Sequence, residues 1–200
     1  GSDCPEYIDA DDPYYIGSGQ RVSGEGNPQE VAARLLAKEV PFNDGDQKGI
    51  SFLTPWARAD LAKIAEGGKI TSCKSDGTVL DVGLLQVLDE LSAKYNVGLG
   101  YFITEHECQG QHLAGRGIDI DSVDGYVLRE LLGIKGGDMD GIPPGLAREF
   151  MEDASKLMPT GRGGLGQRQC SPLKDAVYAE GVKPFPDRCH HFHLDTRQNY

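Results

Sequence analysis

The segment HLAGRGID, residues 112–119, joins a histidine to an aspartate through a stretch that contains two glycines. Gly115 and Gly117 allow the backbone to turn sharply, so the imidazole of His112 and the carboxylate of Asp119 can converge on one ion. The residues from Gly117 onward have the composition of a strand that passes through Asp119. We therefore expect a metal-ligating turn that leads directly into a strand.

The histidines of the chain form two clusters. There are five in 200 residues, and all fall within residues 105–112 and 189–195. The second cluster contains His191-Phe-His193, and residues two apart in a strand point to the same side, so both imidazoles can face one pocket. Together with an aspartate, such clusters supply the nitrogen and oxygen donors that zinc prefers.

A catalytic zinc ion has three protein ligands and an open fourth position, whereas a structural zinc ion is normally closed by four. We predict that His112, Asp119 and His193 are the three ligands. The equal spacings Cys108-x3-His112 and Cys189-x3-His193 offer a rival, a closed Cys2His2 zinc in a binding or scaffold module. That rival leaves Asp119 and the two glycines without a role.

The pattern His112…Asp119…His191-x-His193 resembles the zinc peptidases that comprise D-alanyl-D-alanine carboxypeptidases, lysostaphin-type endopeptidases and the hedgehog fold. It is most similar to the carboxypeptidase branch, peptidase family M15, with its signature S-x-H-x-x-G-x-A-x-D. The resemblance covers about residues 102–195. It implies a zinc ion held by the three predicted ligands on one face of a small antiparallel sheet. It also implies a carboxypeptidase or endopeptidase that cuts peptide bonds of bacterial peptidoglycan.

The chain departs from this pattern at its catalytic base. The carboxypeptidase branch has a glutamate three residues before its last zinc ligand, where this chain has His190. His191 matches a histidine that lies next to the metal-bound water in the endopeptidase branches, and an imidazole exchanges protons near neutral pH. We therefore predict His191 as the catalytic group, with His190 as a second candidate that faces the opposite side of the strand. The alternative is a catalytically inactive zinc-binding member that serves as a recognition or structural module.

Three further residues are candidates for the chemistry: Glu105, His106 and Asp121. The sequence does not rank them. For His106 the simpler interpretation is a hydrogen-bonded or solvated side chain, because most isolated histidines are of that kind.

The five cysteines and the acidic composition bear on compartment and partners. Cys170 and Cys189 bracket the segment that enters the H-x-H strand, and Cys73 could reach Cys108, so two disulfides and a secreted protein are expected. Free cysteines in a cytosolic protein are the alternative.

The net charge of −11 argues against a nucleic-acid partner, which requires clustered Lys and Arg. The sequence contains no apolar run of about 20 residues, so we expect no membrane insertion, and we expect a monomer.

The order of elements predicts an α+β fold. Residues 1–26 are predicted to form an extended arm, and residues 27–200 a single domain whose metal-site core spans about 97–195. Helices are predicted at about 27–39, 54–67, 81–96, 123–132, 144–158 and 171–180, and strands at 97–104, 117–121 and 191–195. The leucines Leu84, Leu85, Leu88 and Leu91 have helical spacing and are predicted to be core residues.

Overall fold

A computed structural model describes residues 20–42, 45–73, 76–159 and 162–198 of the chain. These residues form five helices and one seven-stranded sheet, so the predicted α+β class is confirmed. The helices are α1 (Pro28–Ala37), α2 (Pro55–Ala65), α3 (Val82–Lys94), α4 (Gly110–Leu113) and α5 (Pro144–Leu157). The strands are β1 (Gly49–Phe52), β2 (Asn96–Tyr101), β3 (Gly117–Val123), β4 (Tyr126–Val127), β5 (Gly163–Leu165), β6 (Val182–Pro184) and β7 (Phe192–Asp195). Most of the predicted arm, residues 1–19, lies outside the described residues.

The sheet is mixed, which corrects the expected small antiparallel sheet. Its strand order is β1-β2-β3-β7-β5-β6, and β4 pairs with β3. The pairs β1/β2 and β5/β6 are parallel, and the central pairs from β2 through β5 are antiparallel. Helices α2 and α3 lie between β1 and β2 in the chain and provide the long crossover that a parallel pair requires.

Polar caps determine where the first three helices begin. Asn27 accepts a hydrogen bond from the backbone of Gln29, and Thr54 accepts one from Ala57. Asp81 caps α3 in the same way through Leu84. These starts are the predicted ones, and the four predicted core leucines of α3 are fully buried. None of the helices in the described part of the chain combines the length and hydropathy needed to cross a bilayer.

Two predicted helices are wrong. At residues 123–132 the chain forms a hairpin instead, in which Asp124 and Gly125, both with positive φ, connect β3 to β4. Asp-Gly is the sequence of a two-residue hairpin turn, so local turn chemistry overrides the helical pattern. At residues 171–180 there is a 3-10 turn over Ser171–Leu173 and no α-helix.

The hydrophobic core lies on one face of the central strands. α3 packs against β1, β2 and α5, and the ring of Phe150 on α5 lies 5.3 Å from that of Phe192 on β7. Ile118 and Ile120 of β3 are fully buried in the same core. Because side chains alternate along a strand, the residues between them are directed to the opposite face of the sheet.

Candidate metal centre

Two neighbouring strands bring Asp119 and His193 together. The residues are direct cross-strand partners in the antiparallel pair β3/β7. Their neighbours Ile118 and Leu194 are also paired and are buried in the core, so Asp119 and His193 share the face away from it. Cross-strand partners have Cβ atoms about 5 Å apart, which is close enough for their side chains to reach one ion.

His112 reaches the same place from α4. After this single turn, Gly115 adopts a φ of +75°, and a Cβ there would overlap the backbone oxygen of Val79. Glycine is therefore required for the reversal that returns the chain to β3. The Nδ1 atom of His112 donates to the carbonyl oxygen of Phe102 at 2.6 Å, which leaves Nε2 directed toward Asp119. The predicted convergence of the imidazole and the carboxylate is present.

Three imidazole nitrogens surround one oxygen atom, Oδ1 of Asp119. Nε2 of His112 lies 3.1 Å away, Nε2 of His191 3.5 Å, and Nδ1 of His193 3.7 Å. With metal–ligand distances of about 2.1 Å, ligands of a tetrahedral ion are roughly 3.4 Å apart. Each of these nitrogens thus lies at about ligand spacing from Oδ1, although His191 and His193 do not belong to the described group whose ligand atoms all lie within 4.8 Å of one another.

Two of these atoms also lack other partners. Nε2 of His112 and Oδ1 of Asp119 are buried, and neither has a hydrogen-bond partner among the described residues. Buried polar atoms are rarely left unpaired, and a bound cation would satisfy both. Burial lowers the pKa of His112, so its ring is in the neutral form that metal binding requires. The residues present therefore fit a metal ion.

His193 is oriented by a second carboxylate. Its Nε2 atom lies 2.7 Å from Oδ2 of Asp195, which also pairs with Arg197. Burial alone would lower the pKa of His193, but the carboxylates of Asp119 and Asp195 raise it to about 9. Metal-binding histidines commonly have such an acceptor on the other ring nitrogen. No sequence pattern identifies Asp195 as this acceptor.

His106 belongs to the same cluster. Its ring stacks on that of His112 with centroids 3.6 Å apart, and its Nε2 atom lies 3.3 Å from Oδ2 of Asp119. His106, His112 and Asp119 form a group whose ligand atoms lie within 4.8 Å of one another and which could hold a metal ion. These contacts fit the simpler interpretation of His106 as a hydrogen-bonded side chain as well as a role as a metal ligand.

The other two carboxylate candidates differ in their surroundings. Asp121 is fully buried, and burial raises its pKa to about 8 although Arg129 lies 3.5 Å away. Arg129 also donates to Oδ2 of Asp119 at 3.2 Å and so holds this carboxylate from its second oxygen. Glu105 is exposed at the rim of the cleft.

His191 and His190 lie together, against the expectation that they face opposite sides. Their Nδ1 atoms are 2.9 Å apart, and both rings line one cleft. The reason is that β7 begins at Phe192, so strand alternation does not apply to either residue. Nε2 of His191 also contacts Asp187 at 3.1 Å and the amide of Gln167 at 3.2 Å.

The cluster opens into a polar cleft of about 740 Å³. Its walls come from the segment before and within α4 and from the segment that enters β7. The cleft lies directly over the buried group of candidate ligands, and such an opening is what a substrate site requires and a closed structural site does not. The lining includes Tyr101, His106, His112, Asp119, Arg129, Asp187, Arg188, His190, His191 and His193.

Both expected disulfides are present. Cys73 is bonded to Cys108, and Cys170 is bonded to Cys189. A Cys2His2 zinc is therefore wrong for this fold, because Cys108 and Cys189 have no thiolate to offer. The disulfides instead constrain the two segments that line the cleft.

Comparison of the chain with protein-family models, with curated proteins and with solved structures found no significant match.

Proposed function

We propose that this protein is a secreted zinc-dependent peptidase that hydrolyses peptide bonds in bacterial cell-wall peptidoglycan, as a carboxypeptidase or an endopeptidase. The observation that carries the proposal is a pair of buried atoms, Nε2 of His112 and Oδ1 of Asp119, which have no hydrogen-bond partner among the described residues and lie beside Nδ1 of His193 in an open cleft. Two imidazoles and a carboxylate are a donor set of catalytic zinc ions.

Zinc is the proposed metal, with His112, Asp119 and His193 as its ligands. Bound there, zinc would supply Lewis acidity for a scissile carbonyl and for an attacking water. Phe102 and Asp195 orient the two histidine ligands, and Arg129 donates to the second oxygen of Asp119, Oδ2. These contacts reduce the reorganisation that metal binding requires.

His191 is the proposed proton-transfer or oxyanion-stabilising group. Its Nε2 atom lies beside the ligand cluster at 3.5 Å from Asp119, and its other ring nitrogen contacts His190. A positioned imidazole that faces a reacting centre serves either role near neutral pH.

Peptidoglycan as the substrate rests on the resemblance of the ligand pattern to cell-wall peptidases. Secretion rests on the two disulfides, which suit an oxidising compartment. The cleft is open and polar, which fits an extended peptide with polar groups better than a small apolar ligand.

A second candidate function is a catalytically inactive zinc-binding module for recognition or structure. The observation in its favour is His190, which stands where the carboxypeptidase branch has its glutamate base. In this case the metal site would be kept without turnover.

Metal analysis combined with a digest of purified peptidoglycan, read by mass spectrometry, tests the proposal. We expect one zinc per chain and release of peptide products, and both should be lost in Asp119→Ala. The exposed aspartate Asp175 provides the matched control, Asp175→Ala, which should behave like the parent. A chain without zinc contradicts the proposal, and a zinc-loaded chain that releases no product favours the inactive module.

A further inference from the structure

Asp187 is a cleft carboxylate that the sequence pattern does not single out. It lies between β6 and β7, and its Oδ2 atom is 3.1 Å from Nε2 of His191. The same nitrogen lies 3.5 Å from Oδ1 of Asp119. A continuous set of contacts therefore connects the metal group to the carboxylate of Asp187.

The position of Asp187 is fixed by its neighbours. Its Oδ1 atom accepts from the backbone of Arg188 at 2.8 Å, and its Oδ2 atom accepts from the amide of Gln167 at 3.3 Å. Its backbone nitrogen donates to Gln169 at 3.2 Å. The disulfide Cys170–Cys189 closes the segment that carries Asp187 and Arg188. A side chain held in this way needs little reordering to act on a substrate.

Gln167 connects Asp187 to the ligand strand as well. Its side-chain oxygen accepts from the backbone of His193 at 2.9 Å, while its amide nitrogen contacts Asp187 and His191. The residue is fully buried and has a φ of +65°. Such a backbone conformation is unfavourable for a side-chain-bearing residue, and it is retained here where one amide holds three site residues.

The other carboxylates near the cleft are less suited to accept a proton from a substrate water. Glu105 is exposed and lies at the rim, and Glu107 is exposed and accepts from Gln109 at 2.6 Å. Asp121 is fully buried and does not line the cleft. Asp187 is one-third exposed in its side chain. Burial alone would raise the pKa of Asp187, but contact with His191 and the hydrogen bond from Arg188 lower it, so it is ionised at neutral pH.

We propose that Asp187 is the catalytic base of this site. Its Oδ2 atom takes a proton from the attacking water while the water oxygen forms a bond to the scissile carbonyl carbon. The proton then passes from Asp187 to the amide nitrogen of the leaving group as the C–N bond breaks, and Asp187 returns to its ionised form. This role rests on the proposed peptidase function, and it supplies the carboxylate that position 190 lacks.

The first test does not depend on a peptide substrate. Acetohydroxamic acid loses a proton when it binds a metal ion, and a neighbouring carboxylate that accepts this proton strengthens the binding. We expect Asp187→Asn to retain the metal content of the parent but to bind acetohydroxamate roughly 10- to 100-fold more weakly, the usual cost of one charge-assisted hydrogen bond. Visible absorption of the cobalt-substituted protein measures this affinity. Asp187→Glu should recover part of it, and Asp175→Asn should match the parent.

The second test measures turnover on purified peptidoglycan by mass spectrometry. Asp187→Asn should lower the rate by about 10²- to 10⁴-fold, the usual contribution of one general base, and Asp187→Glu should recover part of the loss. An Asp187→Asn variant with the hydroxamate affinity and rate of the parent overturns the role. Loss of the metal itself in this variant also overturns it, because Asp187 would then be a ligand. A parent that binds metal but releases no product contradicts the peptidase function, while the hydroxamate comparison still decides for or against proton transfer by Asp187.

Discussion

Nε2 of His193 lies 2.7 Å from Oδ2 of Asp195, while Nδ1 of the same ring points to Oδ1 of Asp119 at 3.7 Å. The imidazole of His193 thus connects Asp119, a member of the candidate metal group, with Asp195, which contacts the other ring nitrogen. Arg197 pairs with Asp195 and holds it in this position. The arrangement identifies Nδ1 as the atom of His193 that is available to a metal ion.

Asp195→Asn should weaken zinc binding by about 10- to 100-fold, because the variant loses the charge that orients His193 and strengthens its ring as a ligand. Competition with a chromophoric chelator measures the affinity. Asp175→Asn removes one exposed aspartate without touching the cleft and should leave the affinity unchanged. Equal affinities in both variants would show that Asp195 has no role beyond its pair with Arg197.

Metal analysis of variants can distinguish the proposed zinc ligands from His106, whose ring stacks on that of His112. We expect His193→Ala and Asp119→Ala to lose the bound zinc ion, since each removes one of three ligands, while His106→Ala retains one zinc per chain. Metal analysis after gel filtration provides the measurement. Loss of zinc in His106→Ala but not in His193→Ala would assign the site to the group of His106, His112 and Asp119 instead.

His191→Ala should retain zinc and lower turnover on peptidoglycan by about 10²- to 10⁴-fold, the usual contribution of one acid–base or oxyanion partner. His190→Ala should have a smaller effect, because His190 contacts Nδ1 of His191 and has no contact with Asp119 among the described residues. The ratio of the two rates is the decisive quantity. A larger loss in His190→Ala would identify His190 as the base, at the position where the carboxypeptidases that the sequence resembles have a glutamate.

The second disulfide can be tested by stability. Cys170 and Cys189 are 19 residues apart, and opening a loop of this length costs about 3 kcal/mol in the chain-entropy model. The double variant Cys170→Ser/Cys189→Ser should lower the free energy of unfolding by about that amount in urea titrations without reductant. The double variant should also weaken acetohydroxamate binding, since the segment that carries Asp187 loses the covalent constraint of the disulfide. A stability equal to that of the parent would contradict this account.

Local sequence signals, namely helix caps and the spacing of apolar and metal-ligating residues, predict part of the fold and of the candidate site. The caps at Asn27, Thr54 and Asp81 and the leucine stripe of α3 predicted three helices, and His112, Asp119 and His193 were predicted to converge from their spacing. The short strands β1, β5 and β6, which lie toward the two ends of the sheet, were not predicted. They contain three or four residues each and show no clear alternation, so pairing with neighbouring strands defines them.

The contacts of the site beyond its ligands could not be predicted for a different reason. Asp187, Gln167 and Asp195 reach the cluster through side-chain hydrogen bonds that no local pattern encodes. The Asp-Gly pair at Asp124 was a usable signal for the hairpin that replaced a predicted helix. His190 does not follow the alternation of the predicted strand, because β7 begins at Phe192, one residue after the predicted start.

The stability of the metal-free protein and the additional stability conferred by zinc should change with pH in opposite directions. In the metal-free protein the pKa of His193 is about 9, against about 6.5 in an unfolded chain, so its stabilising charge is fully present below pH 6.5 and lost as the pH rises toward 9. Burial raises the pKa of Asp121 to about 8, from about 3.9 when unfolded, which adds a loss of the same sign. The lowered pKa of His112 acts below pH 6.5 and does not oppose this trend.

We therefore expect the metal-free protein to lose on the order of 3 to 5 kcal/mol of unfolding free energy between pH 6.5 and pH 9, measured by urea titration in the presence of a chelator. Zinc must displace the proton of His193, so the additional stability that zinc confers should grow over the same interval. Asp121→Asn should flatten the decline in the metal-free protein and leave the zinc effect in place. A metal-free protein whose stability rises with pH would mean that His193 is neutral in the fold and that Asp119 and Asp195 do not hold a proton on its ring.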